Sequence, residues 1–324
     1  MKKLLLLSAI ILLMSCDPGE IRVDPKPTPT PPIAIVPTPP FASDVPLPPD
    51  PIIDTPVPTI NLSNLPEWTL IPDQKFENAL IAQGIDDISD GRVLTSKIST
   101  LKVLKVEHAG VTNTTGLENF LSLEFLSLWD NPITSIDLTH NVLLQILGLS
   151  ETYLETVDLS KNTELYSAEF QGNSDKNEDP NYPWGKTRGF TSLDFSHNLK
   201  LQRIYVMCNR LTSLNVRMLP KLTDLWIGCS YTGRTGGNYI KTIDLTGNPR
   251  LGTFIVAGGT FEYIDARNAN SSGNIMVNVV LKNNPDLTKV RVTNLALIKS
   301  VNAMTRPEGQ REPWYFDAHT ILFE

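Results

Sequence analysis

Leu123-Glu-Phe-Leu126-Ser-Leu128-Trp-Asp-Asn131 is followed 21 residues on by Leu144-Gln-Ile-Leu147-Gly-Leu149, and after another 21 by Leu165-Tyr-Ser-Ala168-Glu-Phe170-Gln-Gly-Asn173. The shared frame is L-x-x-L-x-L-x-x-N, and it also starts at Leu101, Leu201, Leu222, Leu251 and Leu287. Fixed spacing of this kind marks a repeat whose units cannot bury an apolar face alone and must stack. Positions 1, 4 and 6 are expected to point inward and positions 5 and 7 outward, as on a short strand. A second half of similar pattern lies between the frames: Ile133 to Asn141, Leu154 to Asn162, Phe190 to Asn198, Leu211 to Leu219 and Ile240 to Asn248. An asparagine at position 9 can turn inward and satisfy backbone groups where the chain leaves the strand. Asn131, Asn141, Asn162, Asn173, Asn198, Asn209, Asn248 and Asn284 are therefore read as structural ladders.

The phrases Ser135-Ile-Asp-Leu-Thr-His-Asn141 and Thr156-Val-Asp-Leu-Ser-Lys-Asn162 resemble the leucine-rich-repeat family, specifically the 21-residue bacterial class of internalin-like and Bacteroidetes surface proteins. The stretch Ile71-Pro-Asp73-Gln-Lys-Phe76-Glu-Asn-Ala-Leu80 is similar to the amphipathic cap helix that opens such proteins. Asp73 would be its N-cap, with Phe76, Leu80 and Ile81 on one apolar face. The resemblance spans about Pro66 to Val301. It implies an α/β-type repeat solenoid, a right-handed coil of short parallel strands with an N-terminal helical cap, whose role is binding rather than catalysis. The expected layout is a cap at 67–100, the solenoid at 101–301 and a C-terminal cap at 302–324. Pro313-Trp314-Tyr315-Phe316 is expected to help close the last rung.

The family often places a cysteine at the inward position 6. Here Val206 and Ile227 fill it, while Cys208 and Cys229 stand at position 8, 21 residues apart. Adjacent rungs lie about 4.8 Å apart, within the Cα separation that a disulfide tolerates. Two readings stay open, a bridge or a pair of free thiols near the strand edge.

The first fifteen residues read as a signal peptide. Lys2 and Lys3 precede an apolar run from Leu4 to Met14 that is too short to span a bilayer. Leu13-Met14-Ser15-Cys16 resembles the bacterial lipobox, which implies lipidation of Cys16. Asp17 resembles either an inner-membrane retention mark or the acidic start of a surface-export signal. Residues 16–66 are rich in proline, so a disordered, polyproline-like spacer of about 3 Å per residue is expected there. The expected location is a lipid-anchored position on the outer membrane, exposed at the surface, with the lipid as the only membrane contact.

Net charge is −7 with no basic run, which argues against nucleic acid. The chain holds no H-E-x-x-H, paired C-x-x-C, G-x-S-x-G or phosphate loop. His140 and His197 each precede a ladder asparagine and read as repeat-position surface residues. Asp137, Asp158, Asp194 and Asp244 recur once per second half, as a solvated column would. Asp86-Asp87-Ile-Ser-Asp90-Gly91 and Asp175-Lys-Asn-Glu178-Asp179 are weak calcium motifs; in the first, Ile88 stands where an oxygen ligand belongs. No metal, cofactor or catalytic group is expected.

The candidate site lies where the repeat breaks. Leu165 to Leu201 spans 36 residues and Leu222 to Leu251 spans 29. The extra residues are Ser174 to Gly189 and roughly Tyr231 to Tyr239, both after the first half, so both leave one edge of the solenoid. Leu251 to Leu287 is again 36, and there Phe261-Glu-Tyr-Ile264-Asp-Ala266 is either a repeat half or part of an insertion. The first two segments carry Tyr182, Trp184, Tyr231, Arg234 and Tyr239, residue types that anchor recognition loops. Among outward positions Trp129, Tyr205, Met207, Trp226 and Ile255 are apolar where solvent is expected, and Tyr205 and Trp226 share position 5 on adjacent rungs. Such a patch marks a contact site, unless the loops fold back over it. The partner expected first is a protein of host or envelope. A glycan stacking on Tyr205, Trp226 and Trp184 is the second reading, and a spacer without a single ligand the third.

Overall fold

In the computed structural model the nine frames become nine short parallel strands in one sheet. They are β3 (Val103–Lys105), β4 (Phe125–Ser127), β5 (Ile146–Gly148), β6 (Ser167–Glu169), β7 (Arg203–Tyr205), β8 (Asp224–Trp226), β10 (Thr253–Ile255), β12 (Asn278–Leu281) and β14 (Trp314–Phe316). Neighbours pair in register, position 4 on position 4, so the 21-residue spacing is converted directly into stacked rungs. The structure describes residues 56–172, 189–229, 238–267, 276–304 and 312–324. The signal peptide, Cys16 and the proline-rich segment up to residue 55 lie outside the described residues, as do both inserted stretches apart from their ends.

Inward positions 4 and 6 form the core. Leu104, Leu126, Leu147, Ile204, Leu225, Phe254 and Val279 at position 4 are fully buried, and so are Leu128, Leu149, Val206, Ile227 and Val256 at position 6. One rung departs from leucine. Ala168 at position 4 leaves space that Phe170 fills, its ring centroid 5.2 Å from Phe190 and 6.2 Å from Phe195. Volume is thus conserved across the rung, as dense packing requires.

After each strand the chain turns sharply at position 8. His108, Asp130, Glu151, Cys208 and Asn283 all have φ between 52° and 59°, and Gly258 has φ 76°. The left-handed conformation recurs because the corner must reverse the strand within two residues. Position 9 then turns inward. Asn131 Nδ2 donates to Val106 O (2.6 Å) and Leu128 O (2.9 Å), while its Oδ1 accepts from Val111 N (2.9 Å). Asn209 repeats this with Phe170 O and Phe190 N. The second halves have their own ladder. Asn162 Nδ2 donates to Leu138 O and Asn141 O, and Asn198 Nδ2 to Leu159 O and Asn162 O. Asn173 lies outside the described residues.

The frame starting at Leu287 is not a first half. Leu287 opens β13 (Lys289–Val292), which pairs with β11 (Tyr263–Ala266), and β9 (Thr242–Asp244) and β15 (Ile321–Phe323) complete a second, four-stranded parallel sheet. The true first half of that rung begins at Met276, which is fully buried, and runs through Val279 and Leu281 to Asn284. A methionine in place of leucine hid it. Phe261 to Ala266 is therefore a repeat half. The third break is then Leu251 to Met276, 25 residues, and its excess of four follows a second half rather than a first. It does not join the other two at one phase. The second halves up to Leu219 close through turns, whereas those from Ile240 onward are strands.

The entry is a hairpin and two helices: β1 (Trp68–Leu70) antiparallel to β2 (Arg92–Leu94), α1 (Gln74–Ala82) and α2 (Thr95–Ile98). Phe76 and Leu80 are fully buried, with Phe76 stacked on Phe120 at 6.1 Å. Asp73 caps α1 through Lys75 N and Phe76 N, and its other oxygen accepts from Thr112 N, Thr112 Oγ1 and Asn113 N. Burial raises that carboxyl, but the hydrogen bonds from Thr112 and Asn113 outweigh it and hold the pKa below its ordinary value. Glu77, unnoticed in the sequence, is buried and accepts from Ser89 Oγ and from the amides of Asp90, Gly91 and Arg92. Among the described residues no helix is long and apolar enough to cross a membrane.

Candidate binding face

The outer face of the nine-stranded sheet is defined by position 5. In-register pairing aligns Lys105, Ser127, Gly148, Glu169, Tyr205, Trp226, Ile255, Val280 and Tyr315 into a single row. Tyr205 and Trp226 are half-buried and meet edge to face, with ring centroids 5.5 Å apart at an interplanar angle of 73°. Beyond them the row is covered. Ile255, Ala257 and Val280 are 3–4% exposed and form a small apolar cluster of their own, with Trp226 packed against it. Ile255 is therefore not the open contact residue that its position led us to expect, because neighbouring apolar groups enclose it. At the far end Tyr315 is 40% exposed under Lys282, whose ammonium lies 4.5 Å from the ring centroid.

Trp129 and Met207 belong to position 7, on β4 and β7, and both are half-buried. Three rungs separate them, roughly 14 Å at strand spacing, so they share a face without touching. Trp129 packs against His108 at 4.2 Å, and His108 Nδ1 is 2.8 Å from Asp130 Oδ2. Tyr239 is 52% exposed at the edge where the second insertion rejoins the rung. That insertion ends sooner than its sequence implied. Asn238 already occupies the ladder place, donating to Val206 O and Ile227 O at 2.8 Å and accepting from Leu211 N at 3.0 Å. Eight residues, 230–237, thus enter between positions 8 and 9. Tyr182, Trp184, Tyr231 and Arg234 lie outside the described residues, as does the acidic stretch 175–179.

Cys208 and Cys229 are joined by a disulfide, S–S 2.08 Å and Cα–Cα 4.7 Å. The bridge ties β7 to β8 at the corner from which residues 230–237 depart. Both cysteines are fully buried. Closing a loop of 21 residues restricts the unfolded chain by about 3 kcal/mol. The double change Cys208→Ala, Cys229→Ala should therefore lower the unfolding free energy by that amount in denaturant titration, and reductant should do the same to the wild type only. Ready alkylation of either thiol in the native, unreduced protein would contradict the bridge.

Glu169 is the residue that the sequence reading passed over. It sits in the row between Gly148 and Tyr205 and is partly exposed. Burial pushes its carboxyl up to about 7, with Arg203 pulling it down and Glu107 adding to the rise. The Tyr205 hydroxyl is also raised, by burial first and then by Asp224. Position 5 was searched for aromatics, so an acid standing beside them drew no notice; the signal was its place in the row.

Among the described residues no group of three or more His, Cys, Asp or Glu could hold a metal ion. In the segment 86–91, Asp90 holds Arg92 Nε at 3.0 Å and Asp87 lies 3.6 Å from Lys97 Nζ. An apolar cleft of about 440 Å³ lies at the C-terminal end, lined by Leu295, Ile298, Phe316 and Leu322 with Lys299 and Glu312 also on its wall. It is remote from the aromatic row and has none of the row's outward aromatics apart from its neighbour Tyr315.

The repeat phase, the in-register sheet and the inward asparagines decide the architecture. The chain is a leucine-rich-repeat solenoid. No protein-family model matches it, and no curated protein is similar to it in sequence. Solved structures that resemble it are Listeria monocytogenes internalins. The functional domain of InlJ, which includes a cysteine ladder, is 18% identical over 69% of this chain and 56% of that one, with a TM-score of 0.33. Internalin C2 is 16% identical over 70% of this chain and 98% of that one, TM-score 0.37. The internalin InlF is 16% identical over 75% and 97%, TM-score 0.27. The chain thus spans little more than half of the InlJ domain. Likeness at this distance says nothing of a ligand, which must be argued from this chain's own residues.

Proposed function

We propose that this chain is a non-catalytic binding module that takes a protein partner on the outer face of its nine-stranded sheet and is tethered to the bacterial envelope by a lipid on Cys16. The observation that carries the binding role is the Tyr205–Trp226 pair, two large aromatics side by side on an outward row where the repeat needs neither. Aromatic anchors of this kind, half-buried and flanked by a rigid sheet, are the residues that dominate interface energetics. The in-register strands below them fix their geometry, so little ordering entropy is left to lose on binding. Tyr239, at the edge where the second insertion rejoins, extends the same surface. The tether rests on Leu13-Met14-Ser15-Cys16 and on the proline-rich stretch behind it, which would hold the solenoid away from an outer-membrane surface.

Binding is tested with the chain from Asn61 onward, used as bait against envelope and host extracts, followed by titration of whatever single protein is retained. Trp226→Ala should weaken that complex by about 2 kcal/mol or more, roughly thirty-fold, while circular dichroism stays unchanged. Binding that survives Trp226→Ala and Tyr205→Ala together would refute the face. A saturable glycan on an array, lost in the same variants, would move the reading to carbohydrate. For the tether, a labelled fatty acid should enter the wild-type chain and not Cys16→Ser; equal label in both would remove the lipid.

A further inference from the structure

Building on the protein-binding reading above, we propose that the gap at Gly148, beside Glu169 on the outer face, seats a cationic side chain of the partner protein, an arginine or a lysine. Gly148 is the one position in the row without a side chain. It leaves Ser127 and Glu169 facing one another across two rungs, about 9.6 Å at strand spacing. The floor is closed, because Phe125 and Ile146 beside it are 4–5% exposed. Both ends of the gap are acidic. Glu169 forms one wall, and at the other Ser127 Oγ donates to Glu107 Oε1 at 2.5 Å, leaving the second oxygen of Glu107 unused by that bond.

The Glu169 carboxylate makes no hydrogen bond or ion pair among the described residues. Arg203, the nearest cation, is turned to the ring of Tyr166, 5.6 Å from its centroid. An ionised carboxylate with little water and no partner is unfavourable. The protein pays for it by letting the group titrate near neutrality, where burial and the charge of Glu107 have brought it. A cation entering the gap would relieve both terms together. A guanidinium has five donors in a fixed fork, enough to serve Glu169 and reach Glu107, and its flat face suits the aromatic edge of Tyr205. Anionic ligands are repelled by the same pair. The groups facing Glu169 from neighbouring strands are Glu107, Arg203, Tyr205, Tyr166 and Asp224. None of the four besides Arg203 can supply a positive charge.

The probe is the capped pentapeptide Gly-Gly-Arg-Gly-Gly, with the same peptide carrying citrulline as the neutral isostere and lactose as the sugar control. Each is titrated into the full-length chain while the amide resonances of Gly148 and Glu169 and the indole resonance of Trp226 are followed by NMR. At about pH 8 the arginine peptide should shift Gly148 and Glu169 saturably and bind about tenfold more tightly than the citrulline peptide. Glu169→Gln should remove that difference while leaving the remaining spectrum in place. At about pH 6 the arginine peptide should bind about tenfold more weakly, because Glu169 is then mostly protonated. Equal binding of the arginine and citrulline peptides, no shift at Gly148, or preference for lactose would each overturn the seat. Should the peptides fail while Trp226→Ala still abolishes capture of the partner, only the cation seat is lost. Should the partner ignore Trp226→Ala, the binding face itself is wrong.

Discussion

Asn162→Ala is expected to lower the unfolding free energy by about 4 kcal/mol, although the residue touches no ligand and never meets solvent. Its side chain is fully buried, and its Nδ2 holds Leu138 O at 3.1 Å and Asn141 O at 2.9 Å. Alanine would leave two carbonyls buried without donors, about 1–3 kcal/mol each, and add a small cavity. The Oδ1 of Asn162 has no partner, so the whole loss falls on the donor side. Asn162→Asp isolates that point, because it keeps the shape and removes the donors. At neutral pH its carboxylate would face two carbonyl oxygens, and its folded pKa would be raised well above the unfolded value of about 3.9. A raised folded pKa means that the stability tied to the proton is present below about pH 4 and is lost as pH rises through the folded pKa. The Asp variant should therefore fall furthest behind the wild type at neutral pH and close part of that gap on acidification, where the protonated acid can donate once. Denaturant midpoints at pH 4 and pH 7 measure this. Equal deficits at both would show that the ladder acts by packing alone.

The solenoid was legible because its cause is periodic. Buried positions 1, 4 and 6, and the asparagine at 9, are imposed on every rung by the same stacking geometry, so a spacing of 21 repeats wherever nothing is inserted. The reading failed where one residue of the frame was replaced. Met276 packs as leucine does, but it broke the pattern and let Leu287 stand as a first half. Asn238 failed differently. Eight inserted residues displaced it from position 9, yet the corner still needed an inward amide and took the next asparagine that reached it. In both cases the backbone requirement was kept while the residue numbering moved.

The binding face was only partly legible. Parallel pairing in register places all position-5 residues in one row, and for that reason Tyr205 and Trp226 could be put side by side from spacing alone. What spacing does not carry is exposure. Ile255 occupies the same row and is covered, since it packs with Ala257, Val280 and Trp226 rather than with water. The disulfide was undecidable for a similar reason. Rung separation admits it, but the choice between a bridge and two thiols depends on how the corner at position 8 turns. Glu169 has no sequence mark at all; its perturbed carboxyl arises from burial and from Glu107, which the sequence places 62 residues away.

Trp314→Ala should be the most damaging single change at the C-terminal end, about 5 kcal/mol locally. The side chain is 1% exposed at position 4 of β14, where other rungs carry an aliphatic residue or phenylalanine. Truncation costs about 3–5 kcal/mol in packing, and the bond from Trp314 Nε1 to Met276 O at 2.8 Å adds about 1–3 kcal/mol for the buried carbonyl left behind. Its backbone is braced on the outer edge by Asn302, the last residue of α3 (Leu295–Asn302), whose Oδ1 accepts from Trp314 N at 3.2 Å and whose Nδ2 donates to Trp314 O at 2.9 Å. That clip occupies the edge groups of β14 that would otherwise invite another strand. In a solenoid each rung rests only on its neighbours, so the loss should stay local instead of unfolding the chain. Hydrogen exchange in Trp314→Ala should speed up across α3, β14 and β15 by about a thousandfold or more, while β3 to β6 keep their protection. Uniform acceleration along all rungs would mean that the last rung holds the whole stack together, and unchanged exchange at β14 would mean that Trp314 is not its anchor. Because Asn302 leaves α3 to clamp β14, Asn302→Ala should reproduce the same pattern at smaller amplitude, and it should raise the tendency of the protein to pair through the freed edge.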